Sequence, residues 1–417
     1  MASPGPCILA LTDGRWRGEI GFGRFLRNSS VTVAGLCEGA SRRTAERVSG
    51  REVLAIQDTS EIILGGGRAR SRGYGPVGKG VQLGGVLLHP VLAVDAMTGE
   101  LFGLADIAVW SREKRQNVHH SQRPSADKES NRWLTGMKQA ADVLRRAAEV
   151  TVVSDRESDI YADFTQRPAT VHLLLRAGFN RRLDNGKKLF DHADELAEAC
   201  RFSVTIAAAP GRPERHAILA LRFGPVTLLQ PERGLPAATL KQLPASVRVH
   251  HVDIREVDAP AGTAPIHWRL LTSHDVSDAG VARKMVDFYR KRWIVEDYFR
   301  TLKTSGFRIE DANISDPEVM LKFLALAAIA AVTVTQLLRA RDNPSGQCLS
   351  HAFDPDDVPL LEAVCADYEG PTPTKRQANP HLHGTIAYAA WVIARLGGWM
   401  GYYGKPGPLN LNRGLTK

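Results

Sequence analysis

The chain has 417 residues, of which 43% are hydrophobic, and it carries a formal net charge of +9 at pH 7. This length and composition exclude a disordered chain and a small disulfide-stapled protein, because they provide enough apolar residues for a sizeable core. The positive charge favours a polyanionic partner such as nucleic acid, since a basic surface attracts phosphates and releases counterions on binding. Charge alone does not identify that partner.

The cysteines and the apolar segments indicate a cytoplasmic protein. The five cysteines are scattered and form no Cys-x-x-Cys pair, which fits a reducing compartment. The N-terminus has no basic region ahead of its short apolar run, so we do not expect a signal peptide. The apolar stretch from Phe323 to Leu338 is shorter than the roughly 20 residues that cross a membrane. We interpret it as a buried, alanine-rich helix and expect no membrane contact.

The N-terminal part of the sequence predicts a strand and a hairpin. Residues 1–52 mix short helical patterns with basic side chains, and we interpret them as a short DNA-contacting segment. Val53 to Ile56 is a continuous apolar run, typical of a strand covered on both faces, and Asp58 lies just past its end. The apolar runs at residues 81–94 and 101–110 predict a hairpin.

The middle of the chain repeats the arrangement of a buried strand followed by an aspartate. Residues 130–149 have helical spacing, Val150 to Val153 is a second short apolar strand, and Asp155 comes directly after it. A further strand from Val171 to Leu175 ends at Arg176. Two strands of the same kind therefore each end beside a carboxylate.

The predicted secondary structure changes twice in the rest of the chain. Helical spacing at residues 189–200 gives way to apolar runs separated by Pro and Gly turns, including separate runs at residues 216–223 and 226–230. From about residue 279 the pattern is mainly helical. We therefore predict an α/β fold with these parts: a core at residues 53–200, an all-β insertion at residues 201–278, a core helix at residues 279–312 and a helical C-terminal region at residues 313–417.

Asp58 and Asp155 are candidate ligands for a shared site. In a mixed α/β sheet the carboxyl ends of parallel strands lie at one edge, where ligands collect, so two aspartates that follow such strands can converge. The alternative is that each aspartate is an ordinary turn residue or a helix N-cap.

A helical segment at residues 289–303 predicts a third component of this site. At about 100° per residue, four chemically different side chains fall within an arc of roughly 60° on one helix face: Tyr289, Arg292, Glu296 and Lys303. Ordinary pairing of Arg292 with Glu296 on a solvated face is the alternative. The density of cations weighs against it, and the apolar residues Trp293 and Phe299 are expected to dock the helix on a core.

The spacing Tyr-x2-Arg-x3-Glu-x6-Lys resembles the signature of the DDE transposases of insertion-sequence family four. Further blocks similar to that family lie in order along the chain: AIQDTS at residues 55–60, KESNRW at 128–133, SDRESDI at 154–160, WRLLTS at 268–273 and IARLGG at 393–398. They extend over nearly the whole chain, and their common order makes coincidence a poor explanation.

The resemblance implies an RNase H-like catalytic core, interrupted by the β insertion, in which Asp58, Asp155 and Glu296 hold two metal ions. Because the ligands are hard oxygens, we expect Mg²⁺, with Mn²⁺ able to substitute. Two such ions polarise the phosphoryl oxygen of a phosphodiester, activate the attacking group and stabilise the leaving oxygen.

The resemblance also assigns DNA-binding roles to residues around the carboxylates. It implies that Tyr289, Arg292 and Lys303 grip phosphates near the cut and that Arg176 does similar work, although a surface salt bridge is the alternative for Arg176. Trp268 matches a family tryptophan that stacks on a flipped base, which is a sequence-tolerant contact. The alternative for a tryptophan in a strand is a core residue.

A glycine-rich basic loop at residues 65–80 could suggest an ATPase. Residues 73–80 nearly satisfy the P-loop pattern, but Gly80 replaces the required Ser or Thr and a strand follows instead of a helix. This excludes the ATPase interpretation. The loop cations make an arm that binds the DNA backbone the better interpretation, with a solvated loop as the alternative: Arg68, Arg70, Arg72 and Lys79.

The sequence therefore predicts a nucleoid-associated transposase that binds the inverted repeats at transposon ends and catalyses metal-dependent strand cleavage and strand transfer into target DNA. The helical region at residues 313–417 resembles the dimerisation region of the family, which implies a homodimer in the synaptic complex. Two alternatives stay open. One is an RNase H-like host nuclease, and the other is a non-catalytic, DNA-binding remnant of a transposon.

Overall fold

The computed structural model describes residues 16–64, 73–78, 83–112, 129–206, 214–232, 237–344, 346–369, 377–401 and 404–417. The four cations of the predicted basic arm lie outside these residues. Residues 1–15 of the predicted N-terminal DNA-contacting segment also lie outside them.

Within the described residues, eleven strands form one mixed sheet. In chain order they are β1 (Glu52–Gln57), β2 (Ser60–Ile63), β3 (Gly75–Val77), β4 (Leu83–Asp95), β5 (Leu101–Trp110), β6 (Glu149–Ser154), β7 (His172–Arg176), β8 (Cys200–Ile206), β9 (Arg215–Leu229), β10 (Ser246–Val257) and β11 (His267–Thr272). Across the sheet the order is β2-β4-β1-β6-β7-β11-β10-β9-β8, and both β3 and β5 pair with β4.

The α-helices of the described residues are distributed along the whole chain. They are α1 (Trp16–Arg27), α2 (Val33–Arg47), α3 (Asn131–Val143), α4 (Tyr161–Gln166), α5 (Leu189–Glu195), α6 (Ala237–Gln242), α7 (Ala279–Lys291), α8 (Ile294–Arg300), α9 (Pro317–Asp342), α10 (Asp357–Glu369), α11 (Ile386–Leu396) and α12 (Pro408–Leu415). A π-helical turn, Thr301–Ser305, continues directly from α8.

Strand β1 is the centre of the sheet. It pairs antiparallel with β4 and parallel with β6, β6 pairs parallel with β7, and β4 pairs antiparallel with β5. Alternate β1 residues enter two hydrophobic clusters: Leu54 and Ile56 pack in the cluster that contains α7, α8 and α9, whereas Val53 and Ala55 pack in the one that contains α3 and α4. The prediction of a strand covered on both faces is confirmed, as are the second apolar strand and the hairpin.

Residues 201–278 differ from the prediction of an all-β insertion. Their strands continue the same sheet through the pairing of β7 with β11, and they include the short helix α6. The two runs predicted as separate strands form one strand, β9, which passes through Pro225. Beyond Leu221, β9 no longer pairs with β8 and keeps only β10 as a strand neighbour, so a residue without an N–H is tolerated there.

Two predicted helices are shorter than their sequence patterns indicated. The helix predicted at residues 130–149 ends at Val143, and strand β6 already begins at Glu149. The helix predicted at residues 189–200 ends at Glu195, and Cys200 begins β8 and pairs with Leu221. Strand pairing thus takes only the last residue of each predicted helix, and residues 144–148 and 196–199 lie in neither a helix nor a strand.

Helix α9 is longer than the apolar stretch from which it was predicted. Its 26 residues, with a mean hydropathy of 1.9 in the most apolar 18-residue window, would suffice to cross a membrane by length and composition alone, but 61% of that window is buried inside the protein. Its buried Gln336 side chain donates hydrogen bonds to the carbonyls of Leu101 and His351 at 2.7 and 3.0 Å. These contacts favour a core helix over a membrane span.

Gly136 lets α3 approach the sheet closely. A Cβ atom at this position would lie 2.7 Å from Gln57 Oε1 and 3.1 Å from Val91 Cγ2. We predict that Gly136→Ala lowers the free energy of unfolding by about 1–3 kcal/mol, because overpacking outweighs the helix propensity gained. Urea unfolding followed by circular dichroism measures this.

The matched control is Gly39→Ala in α2, where an added Cβ meets nothing within 4 Å. There the same substitution should be neutral or should stabilise by up to about 1 kcal/mol. Equal effects of the two substitutions would contradict the proposed close packing of α3 on the sheet.

Candidate active site

The register of two parallel strands brings Asp58 and Asp155 together. Ile56 of β1 is paired with Val153 of β6, and each aspartate lies two residues further along its own strand. Both therefore lie at the carboxyl edge of the sheet, as expected from the sequence. Backbone groups orient them: Asp58 Oδ1 accepts from the N–H of Thr59 at 2.7 Å, and Asp155 Oδ1 accepts from the N–H of Glu157 at 2.8 Å.

Asp155 is a helix N-cap, which is the alternative that the sequence predicted for it. Its side chain is the N-cap of a short 3-10 turn, Arg156–Ser158. This capping bond uses one carboxylate oxygen, and it holds the side chain at the edge of the sheet beside Asp58. Capping and membership of a carboxylate site are therefore compatible at this position.

Glu296 enters the same site from the first turn of α8. Arg292 connects it to Asp58: the Arg292 Nη1 atom lies 2.8 Å from Asp58 Oδ2, and the Nη2 atom lies 3.4 Å from Glu296 Oε1. The side chains of Arg292 and Asp58 are nearly buried, with 10% and 13% of their surfaces exposed. The predicted pairing of Arg292 with Glu296 thus exists, and 39% of the Glu296 side chain is exposed, but Arg292 also contacts Asp58 and is itself nearly buried.

The pKa of Asp58 is evidence that the three carboxylates interact. Burial and the nearby charge of Asp155 raise this pKa to about 7, and Glu296 adds to the increase, whereas Arg292 and the Thr59 N–H oppose it. The carboxylates reach this edge from positions far apart in the sequence. Their mutual repulsion is the electrostatic condition that a bound cation relieves.

The donor chemistry of this site fits a hard divalent cation. All three side chains offer carboxylate oxygens, which Mg²⁺ and Mn²⁺ prefer. Among the described residues, one group has three ligand atoms within 4.8 Å of one another, and it consists of Glu149, His172 and His274. The oxygens of Asp58, Asp155 and Glu296 are therefore less closely grouped than that.

The predicted stripe does not lie on one continuous helix. Helix α7 ends at Lys291, a tight turn at Arg292 and Trp293 follows, and α8 ends at Arg300, where the π-helical turn begins. The reason is local: the Arg292 N–H bonds to the carbonyl of Tyr289 and not to a residue four positions back. The ideal 100° spacing therefore overestimated the regularity of this segment.

Tyr289 and Lys303 nevertheless lie near the carboxylates. Tyr289 is buried, and burial raises its pKa while the charges of Arg292 and Arg176 lower it. Lys303 Nζ donates to the carbonyl of Glu61, three residues past Asp58, and lies 3.7 Å from the carboxylate of Glu310.

The predicted role of Trp293 in docking the helix is wrong. This side chain is 59% exposed, whereas Phe299 is buried as predicted. The ring extends into solvent, where the guanidinium carbon of Arg292 lies 5.4 Å from its centroid. At about 100° per residue, Trp293 and Phe299 lie roughly 120° apart around a helix axis, so the two side chains do not share the face that docks on the core.

Arg176 and Trp268 lie on neighbouring strands next to Tyr289. The Arg176 Nη2 atom donates to the carbonyl of His267 at 3.0 Å, so this guanidinium is held by the backbone of β11. The ring of Trp268 is half-buried and packs edge-to-face on Tyr289, with centroids 5.7 Å apart. Its position is thus between the core and the surface.

Sequence reasoning missed a hydrogen-bonded chain behind Asp58. Arg132 Nε donates to Thr59 Oγ1 at 2.7 Å, and this hydroxyl lies 2.8 Å from Nδ1 of the buried His89. Burial lowers the pKa of His89 to about 3, so the ring is neutral and can accept the Thr59 proton. Thr59 and Arg132 each stood in a recognised sequence block, but nothing in the sequence indicated that they meet or that His89 joins them.

A basic groove of about 1070 Å³ lies beside Trp293. It is lined by five cationic residues and two acidic residues: Arg283, Lys284, Arg290, Lys291 and Arg339, with Asp287 and Asp297. Trp268 and Trp293 also line it, so its walls carry both cations and aromatic rings. This is the chemistry that phosphates and exposed bases require.

Residues 241–333 match the family model of the transposase DDE domain. The matched segment is less than a quarter of the chain, and it contains Trp268, Tyr289, Arg292, Glu296 and Lys303. The match supports a DDE transposase. Asp58 and Asp155 lie outside the matched segment and are connected to it by the geometry described above.

The raised pKa of Asp58 predicts a pH-dependent stability. Because the folded-state pKa of about 7 lies above the usual value of 3.8, protonated Asp58 favours folding below about pH 4, and this contribution is lost as the pH rises through 7. In metal-free buffer, the free energy of unfolding of the natural protein relative to Asp58→Asn should fall by a few kcal/mol between pH 5 and pH 8. Urea titrations at both pH values measure it.

The exposed carboxylate Glu318 in the first turn of α9 provides the control, Glu318→Gln. Its stability relative to the natural protein should change little over the same interval. Addition of Mg²⁺ at pH 8 should restore part of the stability lost by the natural protein and none in Asp58→Asn. A relative stability of Asp58→Asn that is independent of pH would contradict the electrostatic description.

Proposed function

We propose that this protein is a metal-dependent DNA transposase of insertion-sequence family four, which cleaves DNA at transposon ends and joins the freed 3′-OH to target DNA. The observation that carries the proposal is the meeting of Asp58, Asp155 and Glu296 at one edge of a mixed sheet. The transposase DDE domain match, which contains Glu296, supports the same function.

In this proposal Asp58, Asp155 and Glu296 hold two Mg²⁺ ions, and Mn²⁺ can substitute. When bound, the ions polarise the scissile phosphate and stabilise the charge on the attacking and leaving oxygens. The protein holds the ligands in place beforehand: the Thr59 N–H fixes Asp58, and the Glu157 N–H fixes Asp155. Preorganised ligands avoid reorganisation during the reaction.

The cations near the carboxylates bind and orient DNA phosphates. Arg292 contacts Asp58 and Glu296 in the absence of DNA, and a guanidinium there can turn its remaining donors to a phosphate. Tyr289, Lys303 and Arg176 are proposed to contact the backbone on either side of the cut. Lys303 and Arg176 both donate to backbone carbonyls, which leaves their charges available to an anion.

The basic groove is the proposed path of the DNA end. Its five cations attract the phosphate backbone, and Trp268 and Trp293 offer ring faces on which an extruded base can stack. The exposure of Trp293 supports this, because a large aromatic ring in solvent gains most from such a contact.

We propose that the rest of the fold has the domain organisation of the same family. The order β5-β4-β1-β6-β7, with β6 and β7 parallel to β1, supports an RNase H-like core, and residues 201–278 are proposed to be an insertion that continues its sheet. Residues 1–52 are proposed to contact DNA, residues 279–312 to complete the core, and residues 313–417 to form a homodimer interface in the synaptic complex. A cytoplasmic, nucleoid-associated location follows from DNA binding.

A host nuclease with the same fold remains the main alternative function. It would use the same carboxylates but would need no specific ends and would not join DNA strands. A non-catalytic remnant is disfavoured, because all three carboxylates and the residues that orient them are present together.

We predict that Glu296→Gln reduces metal-dependent nicking by at least about 1,000-fold, because loss of one ligand to the metal pair removes several kcal/mol of transition-state stabilisation. The assay uses DNA that carries the inverted repeats flanking the gene, with Mg²⁺ or Mn²⁺. The same loss of a negative charge at the exposed Glu318, in Glu318→Gln, should leave nicking unchanged. Retained nicking by folded Glu296→Gln would exclude this carboxylate from the site.

We predict that Arg290→Gln weakens DNA binding about equally for all sequences and reduces the slope of log affinity against log salt by roughly 1. Arg290 lines the groove and is exposed, and it forms an ion pair with Asp287 at 3.5 Å. Lys241→Gln, on the exposed face of α6 outside the groove, is the matched control. If both variants reduce the slope equally, the groove is not the DNA path.

A further inference from the structure

A group of one glutamate and two histidines lies at the edge of the sheet opposite the carboxylate site. Glu149 begins β6, His172 begins β7, and His274 follows the end of β11, which runs antiparallel to β7. Asp155, by contrast, follows the other end of β6. The full length of β6 therefore separates this group from the proposed catalytic centre.

The distances within this group fit a shared metal ion. Glu149 Oε1 lies 3.4 Å from His172 Nε2 and 3.4 Å from His274 Nδ1, and all three ligand atoms lie within 4.8 Å of one another. These separations exceed the usual N–H···O distance of about 2.7–3.2 Å. An ion about 2.0–2.1 Å from tetrahedral ligands places those ligands roughly 3.3–3.4 Å apart, which is the spacing of both nitrogens from Oε1.

Buried partners orient the ligands of this group. The Thr151 hydroxyl, which is fully buried, lies 2.8 Å from His274 Nε2, so the opposite ring nitrogen, Nδ1, faces Glu149. Metal-binding histidines commonly have their second nitrogen held in this way.

Two features of the surroundings bear on metal binding. The rings of His172 and His274 stack with centroids 3.8 Å apart, so one ring must turn for both nitrogens to point at one ion. The side chain of His172 is 38% exposed and can turn. The nearby cation Lys284 is already paired with Glu52 at 2.6 Å, and Arg167 donates to the Val171 carbonyl at 2.8 Å.

We propose that Glu149, His172 and His274 bind one divalent transition-metal ion of the zinc class, with water in a fourth position, at a structural site separate from the catalytic carboxylates. Two imidazoles and one carboxylate suit Zn²⁺ and not Mg²⁺, which prefers oxygen ligands alone. The ion connects the first residues of β6 and β7 to the turn that leads into α7. Since α7 leads to Arg292 and Glu296, the ion stabilises the segment that precedes the helix carrying Glu296.

The test is zinc binding by the full chain in the presence of excess Mg²⁺, which occupies the oxygen-only ligands. We expect isothermal titration calorimetry to detect one Zn²⁺ that is bound by the natural protein and bound at least roughly 10–100-fold more weakly by Glu149→Gln and by His172→Asn. Because His172 is half-exposed, we expect the His172→Asn variant to keep its fold, and circular dichroism checks this. Thermal unfolding should show a zinc-dependent increase in Tm for the natural protein alone.

The matched control is His383→Asn. His383 pairs with Glu362 at 2.8 Å on the surface, a His–Glu pair outside the three-ligand group found among the described residues, so its loss should leave zinc binding unchanged. Co²⁺ provides a second readout, because a tetrahedral site gives visible absorption that Glu149→Gln should abolish. Equal zinc affinity and stoichiometry in the natural protein and in both folded ligand variants would overturn the proposal.

Discussion

The parallel register of β1 against β6 is the constraint on which the carboxylate site depends. Because Ile56 is paired with Val153, the residues two positions further along each strand, Asp58 and Asp155, reach the same level of the sheet edge. A shift of one residue in either strand would turn one carboxylate to the other face. The hydrophobic packing of both faces of β1 fixes this register, so the core of the fold determines the geometry of the site.

The site combines repulsion among carboxylates with attraction from one buried guanidinium. Burial and the charge of Asp155 raise the pKa of Asp58, and Arg292, held between Asp58 and Glu296, offsets part of this unfavourable interaction. A protein that keeps such a cluster without a cation sacrifices stability at neutral pH. The arrangement is therefore understandable as a cation site, and the adjacent basic groove supplies the positive potential that attracts a polyanion.

Much of this fold could be predicted from continuous apolar runs, because strands covered on both faces leave a simple signal, as at Val53 to Ile56 and Val150 to Val153. The sequence could not predict that β9 continues through Pro225, because that depends on which edge has a partner. The exposure of Trp293 could have been predicted, because an ideal helix places this residue roughly 120° from the buried Phe299. His89 and Thr59 meet only through tertiary packing, so no spacing rule could have related them.

The most direct test of the account is a strand-transfer assay with purified protein, Mg²⁺, a target plasmid and short DNA duplexes that end in the flanking inverted repeat with a free 3′-OH. The account predicts joined molecules in which the 3′-OH of the repeat is linked to target DNA, and it predicts none when the repeat sequence is scrambled. If the natural protein nicks either DNA in Mg²⁺ but never joins the strands, the carboxylate site belongs to a nuclease and the proposed transposase function is wrong.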